Sequence, residues 1–338
     1  EIYEKNILEK GFQNSGEMEE FIYKKSKENR ITIEIIGGIE KNGTTGKEKR
    51  GKVYIPYSLS GKEKIEFHHS NWYFPILIFL FIFLNGIKFF KHYPLSEFLF
   101  GTRWISLSEF YGLLPLLAGS FWVTLVALMI SIPVGISTAV YISEYASPKT
   151  RTMLKVTIET MSAIPSVVLG FIGLYVLSGP IKNLFNLNSG LTALTGGIML
   201  AFMAIPTIVS IADDSLNALD KSYKEASLAL GANKIETIFN VLLPAAFPGI
   251  FAGIMLGFGR IIGETLTVLM VTGNSPILAL SPLSPVRTLT ATIAAEMGEV
   301  VQGSTHYYAL FAIGIVLFLI SFITVSVSPI ILPNPSII

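Results

Sequence analysis

The chain has 338 residues, of which 51% are hydrophobic and only 14% charged, with a mean hydropathy of +0.58 and a formal net charge of +1. Soluble domains carry about 25% charged residues, so this composition excludes an ordinary soluble globular protein and reads as a membrane protein in contact with lipid. With no cysteine, disulfides, thiolate metal ligands and thiol nucleophiles are excluded, and no nucleic-acid partner is expected.

The charge is unevenly placed. Residues 1–71 hold 13 of the 25 Lys and Arg and 12 of the 24 Asp and Glu. The chain therefore divides into a charged extension (1–71), an apolar domain (72–328) and a short tail (329–338) that carries no charge. It opens on Glu1 with charged residues rather than a basic start and an apolar run, so no signal peptide is expected. The missing initiator Met suggests a fragment or a processed chain. In the extension, residues 1–30 have a helical period, and 31–39, 52–59 and 64–67 are short β-like runs, which predicts a small α+β element. Gly43-Thr44-Thr45-Gly46-Lys47 superficially suggests a phosphate-cradling loop. Lys41 occupies the place of the required first Gly and Glu48 that of the Ser or Thr, so a solvated turn is expected.

An all-α membrane domain of six spans is predicted from the apolar runs. The first covers 72–90, with Trp72 and Tyr73 as interface anchors and Lys88 and Lys91 able to snorkel. The second lies in 113–142 and contains Pro133. A polar, basic stretch, 143–155, precedes the third, about 156–178, with Glu159 near its start and Pro165 inside. The fourth is about 191–212, with Pro206 inside. A polar loop, 213–247, leads to the fifth, about 248–271, which carries Arg260 and Glu264. A long loop, 272–305, with a short interfacial helix in 288–301, leads to the sixth, about 306–328. Ala163–Val168 echoes Ala204–Val209. Either this is coincidence between apolar helices, or Pro breaks both helices where they line a cavity.

The stretch Glu225–Glu264, which begins in the loop 213–247, organises the rest. Glu225-Ala226-Ser227, three residues, Gly231, nine residues, then Val241-Leu242-Leu243-Pro244 resembles the EAA loop of ABC-importer membrane subunits at every spacing. Ser227 and Val241 are the two departures, both of like kind. The loop reads as two short helices, Glu225 to Leu230 and Lys234 to Val241, with Gly231 as hinge and Pro244 stopping the second. Downstream, Gly259–Thr265 running on to Gly273-Asn274 resembles the phosphate-specific branch of that family, the PstC-type permease. So do Pro94–Trp104, Tyr111–Gly119, Tyr141–Ala146 and Thr292–Glu296. The resemblance covers about 74–325, and neither the extension nor the uncharged tail fits the family pattern.

The resemblance implies a type I ABC importer permease fold and no cofactor. The implied partners are ABC ATPase subunits docked on the loop, a second, PstA-like permease, and an extracytoplasmic phosphate-binding protein. Nothing in the chain reads as an ATP site, and hydrolysis is assigned to the separate subunit. EAA loops are cytoplasmic, so both termini are expected inside an inner membrane. That orientation leaves 19 Lys and Arg inside and 5 outside, with Arg260 within the membrane.

Nothing resembles an active site. His68, His69, His92 and His306 have no carboxylate partner at a recognisable spacing, and no metal or paired-carboxylate motif is present. Arg260 and Glu264 are the exception. A charge at mid-membrane costs about 2.5–3.5 kcal/mol, and residues four apart share one helix face. They read either as a structural ion pair or as a polar stripe with Gly259, Gly263 and Thr267 lining a passage, where a guanidinium suits phosphate oxygens and Glu264 holds it in place. Glu159 is a further candidate, or a carboxylate reaching the interface. Two alternatives stay open: a permease for molybdate, sulfate or another oxyanion, and a membrane-anchored scaffold or signalling subunit.

Overall fold

The computed structural model describes residues 76–331. The α+β element expected in the extension and most of the tail lie outside them. The described chain is almost wholly helical. Its only sheet is a two-stranded antiparallel pair, β1 (Trp104–Ile105) and β2 (Phe110–Tyr111), which closes a hairpin.

Five described helices are long and apolar enough to cross a membrane: α3 (Leu114–Tyr145), α5 (Ser166–Leu184), α6 (Ala193–Asn217), α8 (Lys234–Gly263) and α11, apolar over Thr305–Thr324 and helical to Ile331. A shorter apolar helix, α1 (Ile76–Phe89), covers the described part of the expected first span. The remaining helices are short or polar: α2 (Leu95–Phe100), α4 (Pro148–Ser162), α7 (Lys221–Ala229), α9 (Leu266–Val271) and α10 (Leu289–Glu296).

The core is built around α6, whose inward face (Met203, Ala204, Ile208, Val209, Ala212) is buried. Close approach of its neighbours depends on small residues, as membrane helices require where lipid gives no hydrophobic drive. A Cβ on Gly135 of α3 would sit 2.7 Å from Ile208, and one on Gly257 of α8 would sit 2.9 Å from it. A second cluster joins Phe89, Phe98, Trp104 and Tyr111 to Leu310 and Ile313 of α11.

Three boundaries differ from expectation, each at a Pro or Gly. The predicted third span is two helices. Pro165 cannot donate to the preceding turn and biases Ile164 away from helix, so α4 ends at Ser162 and α5 starts at Ser166. The polar, basic stretch 143–155 is mostly helix, with the Ser147 hydroxyl capping α4. The fifth span also breaks: α8 ends at Gly263, Glu264 is extended (ψ 134°), and α9 begins at Leu266. Pro244, expected to stop a loop helix, instead lies in the first turn of the apolar part of α8. A wide π turn, Ile238–Leu242, precedes it, with the Leu243 N–H reaching the Ile238 carbonyl. That widened turn gives the proline ring room and keeps α8 continuous from the loop into the membrane.

Candidate functional site

The two helix breaks face each other. Thr267, fully buried in the first turn of α9, donates its hydroxyl to the Ser166 carbonyl at 2.9 Å, tying α9 to the start of α5. The Glu264 carboxylate accepts the Thr267 N–H at 3.2 Å, and the Glu264 carbonyl accepts the Thr290 hydroxyl of α10 at 2.8 Å. Of these groups the Thr267 N–H, in the first turn of α9, and the Glu264 carbonyl, at the end of α8, are the ones the break leaves without an intrahelical partner, and an unpaired backbone group in a bilayer costs several kcal/mol. Helix α10, expected at the interface, is buried over Leu289–Thr292 because it supplies one of those partners.

Arg260 lies in the last turn of α8. Its guanidinium donates to the Thr207 hydroxyl at 3.2 Å and to the Ser162 carbonyl, where α4 stops, at 3.5 Å. Among the described residues it forms no salt bridge. Arg260 and Glu264 therefore do not stack four apart on one helix face: the helix ends between them, and Glu264 caps α9 instead. Gly259 and Gly263 are exposed, and a Cβ on either would meet nothing within 4 Å, so one side of α8 beside Arg260 is open. Thr267 is not on that open side. Glu159 is exposed on α4, one turn before Ser162, and its carbonyl accepts the Ser162 hydroxyl. The structure does not bring its carboxylate into an ion pair among the described residues.

The loop residues form one short helix, α7, and the first turns of the long helix α8. Glu225 and Ala226 are exposed on α7, which Asp220 caps through the Ser222 N–H. This backbone hydrogen bond holds the Asp220 carboxyl below its ordinary range. Gly231 has φ +88°, with its N–H bonded to the Leu228 carbonyl and the Ala232 N–H bonded to the Ser227 carbonyl. This is the Schellman arrangement, which favours glycine. Asn233 and Glu236 then form a capping box that starts α8. The Ser227 and Thr237 hydroxyls meet at 3.0 Å and close the pair of helices on each other. Leu243 is half-buried and Pro244 exposed at the entry to the apolar part of α8.

Residues 131–334, more than half of the chain, match the family of binding-protein-dependent transport system inner membrane components. The chain belongs to that family. The permease is 39% identical over 252 residues to a probable ABC transporter permease, YqgH, of Bacillus subtilis, covering 73% of this chain and 82% of the relative. It is 33% identical over 258 residues to the phosphate transport system permease PstC of Xylella fastidiosa, covering 71% and 76%. Among solved structures, the bacterial alginate ABC transporter in complex with its oligosaccharide-bound periplasmic protein matches with a TM-score of 0.51 and 13% identity, over 78% of this chain and 93% of that one. The fold is that of a type I ABC importer permease, and the permease is a multi-pass inner-membrane component.

Sequence reading missed several polar groups that the fold brings together. Asp213, only 2% exposed, pairs with Lys155 of α4 at 2.6 Å and with Arg151 at 3.7 Å. The helical period of α6 carried past residue 212 would have signalled its burial. On the other side, Glu296 joins Arg287 at 2.5 Å, His306 at 2.7 Å and the Trp104 indole at 3.1 Å. His306 thus has the carboxylate partner that no spacing rule revealed. Tyr111 stacks on His306, and its phenol is pushed up to about 12 by burial first and then by repulsion from Glu109 and Glu296.

Proposed function

We propose that the permease is one transmembrane subunit of an ATP-driven importer of inorganic phosphate. It pairs with a second permease, receives substrate from an extracytoplasmic phosphate-binding protein, and docks a separate ATPase on the loop around Glu225, Ala226 and Gly231. The observation that carries the substrate assignment is Arg260. Its guanidinium is held by a neutral hydroxyl and a carbonyl, lies beside two glycines that leave the helix face open, and has no acidic partner among the described residues. A charge so placed keeps its attraction for an oxyanion, and its planar fork suits phosphate oxygens. The PstC-named relatives support the same substrate.

In this reading Glu264 keeps the break open by capping α9, Gly263 ends α8 at that level, and Thr267 locks the two broken helices together. Glu159 stands near the inner end of the route. The continuous helix from Lys234 to Gly263 links the ATPase-facing loop to Arg260, so closure of the ATPase pair moves the Arg260 end of the same helix. With the loop inside the cell, the N-terminal extension is inside as well. The test is ATP-dependent uptake into vesicles holding the permease with its partner subunits. Labelled phosphate should accumulate and molybdate and sulfate should not. Accumulation of either competitor in place of phosphate would refute the substrate assignment, and ATPase subunits that fail to co-purify would refute the docking.

A further inference from the structure

The loop is fastened to a second span as well as being continuous with α8. Span α3 ends in a π turn, Tyr141–Tyr145, and Glu144 lies in it with a side chain only 10% exposed. Its carboxylate pairs with the ammonium of Lys224 on α7 at 2.5 Å. Its carbonyl accepts the ammonium of Lys234, the first residue of α8, at 2.7 Å, and that ammonium sits 4.0 Å over the Tyr145 ring. One turn of α3 therefore holds both helices of the loop, one through its side chain and one through its backbone and an aromatic face. Beneath this clasp, Ile142 packs with Ile238 and Leu242 of the second π turn, all three buried. Two wide turns thus meet where the loop enters the membrane domain, and π turns concentrate at functional sites.

We infer that Glu144 is a positioning residue for transport. It makes the loop and the inner end of α3 one rigid unit, so that a displacement of the loop enters the membrane domain through α3 as well as through α8. The inference rests on the reading of the loop as the ATPase-docking element. It adds that α3, which packs along α6, is driven directly, so that two of the spans around the core move together. Charge-assisted hydrogen bonds in a partly buried site are the contacts strong enough to hold such a joint. A loop attached only through α8 could pivot on the π turn without moving α3.

The absence of cysteine allows spin labels at introduced cysteines alone. A pair at Ser137 on α3 and Leu230 at the loop, in the assembled complex, reads the joint directly. In the otherwise native chain the distance should be narrow and the same with and without trapped nucleotide. In Glu144→Gln with Lys224→Met it should broaden at least twofold, while ATP hydrolysed per substrate moved rises several-fold. Glu144→Lys with Lys224→Glu restores the pair with reversed charge and should restore both readouts. A distance that changes with nucleotide in the otherwise native chain, or a double variant with an unaltered distance, would overturn the inference. Loss of phosphate specificity would show only in the uptake assay and leaves the distance test standing.

Discussion

Replacing Gly231 isolates backbone conformation from everything else in the loop between α6 and α8. With φ +88° it adopts the left-handed conformation that ends α7, yet a Cβ there would meet nothing within 4 Å. No other residue therefore adds a clash, and the penalty for an L-residue is the local one of Cβ against its own backbone in the left-handed conformation, about 1–2 kcal/mol. If that cost falls on the docked form of the loop, Gly231→Ala should weaken binding of the ATPase subunit about 5- to 30-fold, since about 1.4 kcal/mol is tenfold in affinity. Asn tolerates this conformation better than other side chains, so Gly231→Asn should lose less than Ala, and Gly231→Val more. The assay is titration of purified ATPase onto the permease in lipid nanodiscs. Gly249→Ala is the contrasting control: its Cβ would lie 2.1 Å from the Ser215 hydroxyl, so it should lower the yield of folded permease rather than the affinity. Equal affinity for Gly231→Ala and wild type, or Asn as poor as Val, would refute the reasoning.

Other perturbations separate the fold's polar supports. Thr267→Val keeps the shape but removes the hydroxyl bonded to the Ser166 carbonyl, and should destabilise the break by about 1–3 kcal/mol, read as a lower midpoint for heat-induced aggregation in detergent. Glu296→Gln leaves Arg287, 17% exposed, without its anion; loss of one partner of a buried pair costs about 3–5 kcal/mol, so its midpoint should fall further than that of Thr267→Val. Glu159→Gln, at an exposed site, should leave the midpoint unchanged. The folded Tyr111 phenol has its pKa raised from 10.0 to about 12, so its burial favours folding below pH 10 and that contribution is lost as pH rises toward 12. Tyr111→Phe should therefore flatten the alkaline fall in stability between these values, measured by the same midpoint across pH.

The spans were legible because apolar runs of the required length have few other uses, and Leu114–Tyr145, Ala193–Asn217 and the α11 run follow them closely. The loop's first helix was legible because its turn residue is local: Gly231 ends α7 within a few positions, whereas the equally local Asn233–Glu236 capping box that starts α8 was not read. Where the reading went astray, the deciding feature was either a contact distant in sequence or a local backbone departure from the regular helix. Extrapolating helical periodicity from Arg260 to Glu264 ignored the break after Gly263, where the Glu264 carbonyl accepts the Thr290 hydroxyl and the Thr267 N–H donates to the Glu264 carboxylate. Pro244 is a local helix breaker, yet the π turn before it keeps α8 intact. Glu144, Asp213 and Glu296 were illegible for the same reason: the partners Lys224, Lys155 and Arg287 come from other elements.

The central claim is that Arg260 faces the transported anion. Initial rates of ATP-driven uptake of labelled phosphate, measured for wild type, Arg260→Lys and Arg260→Ala in complexes of equal subunit content, test it most directly. Two charge-assisted hydrogen bonds are worth about 1.5–3 kcal/mol each. Arg260→Ala should therefore lose at least about tenfold in uptake at subsaturating phosphate, with Arg260→Lys between it and wild type. Uptake unchanged in both variants, with the complexes intact, would contradict the account.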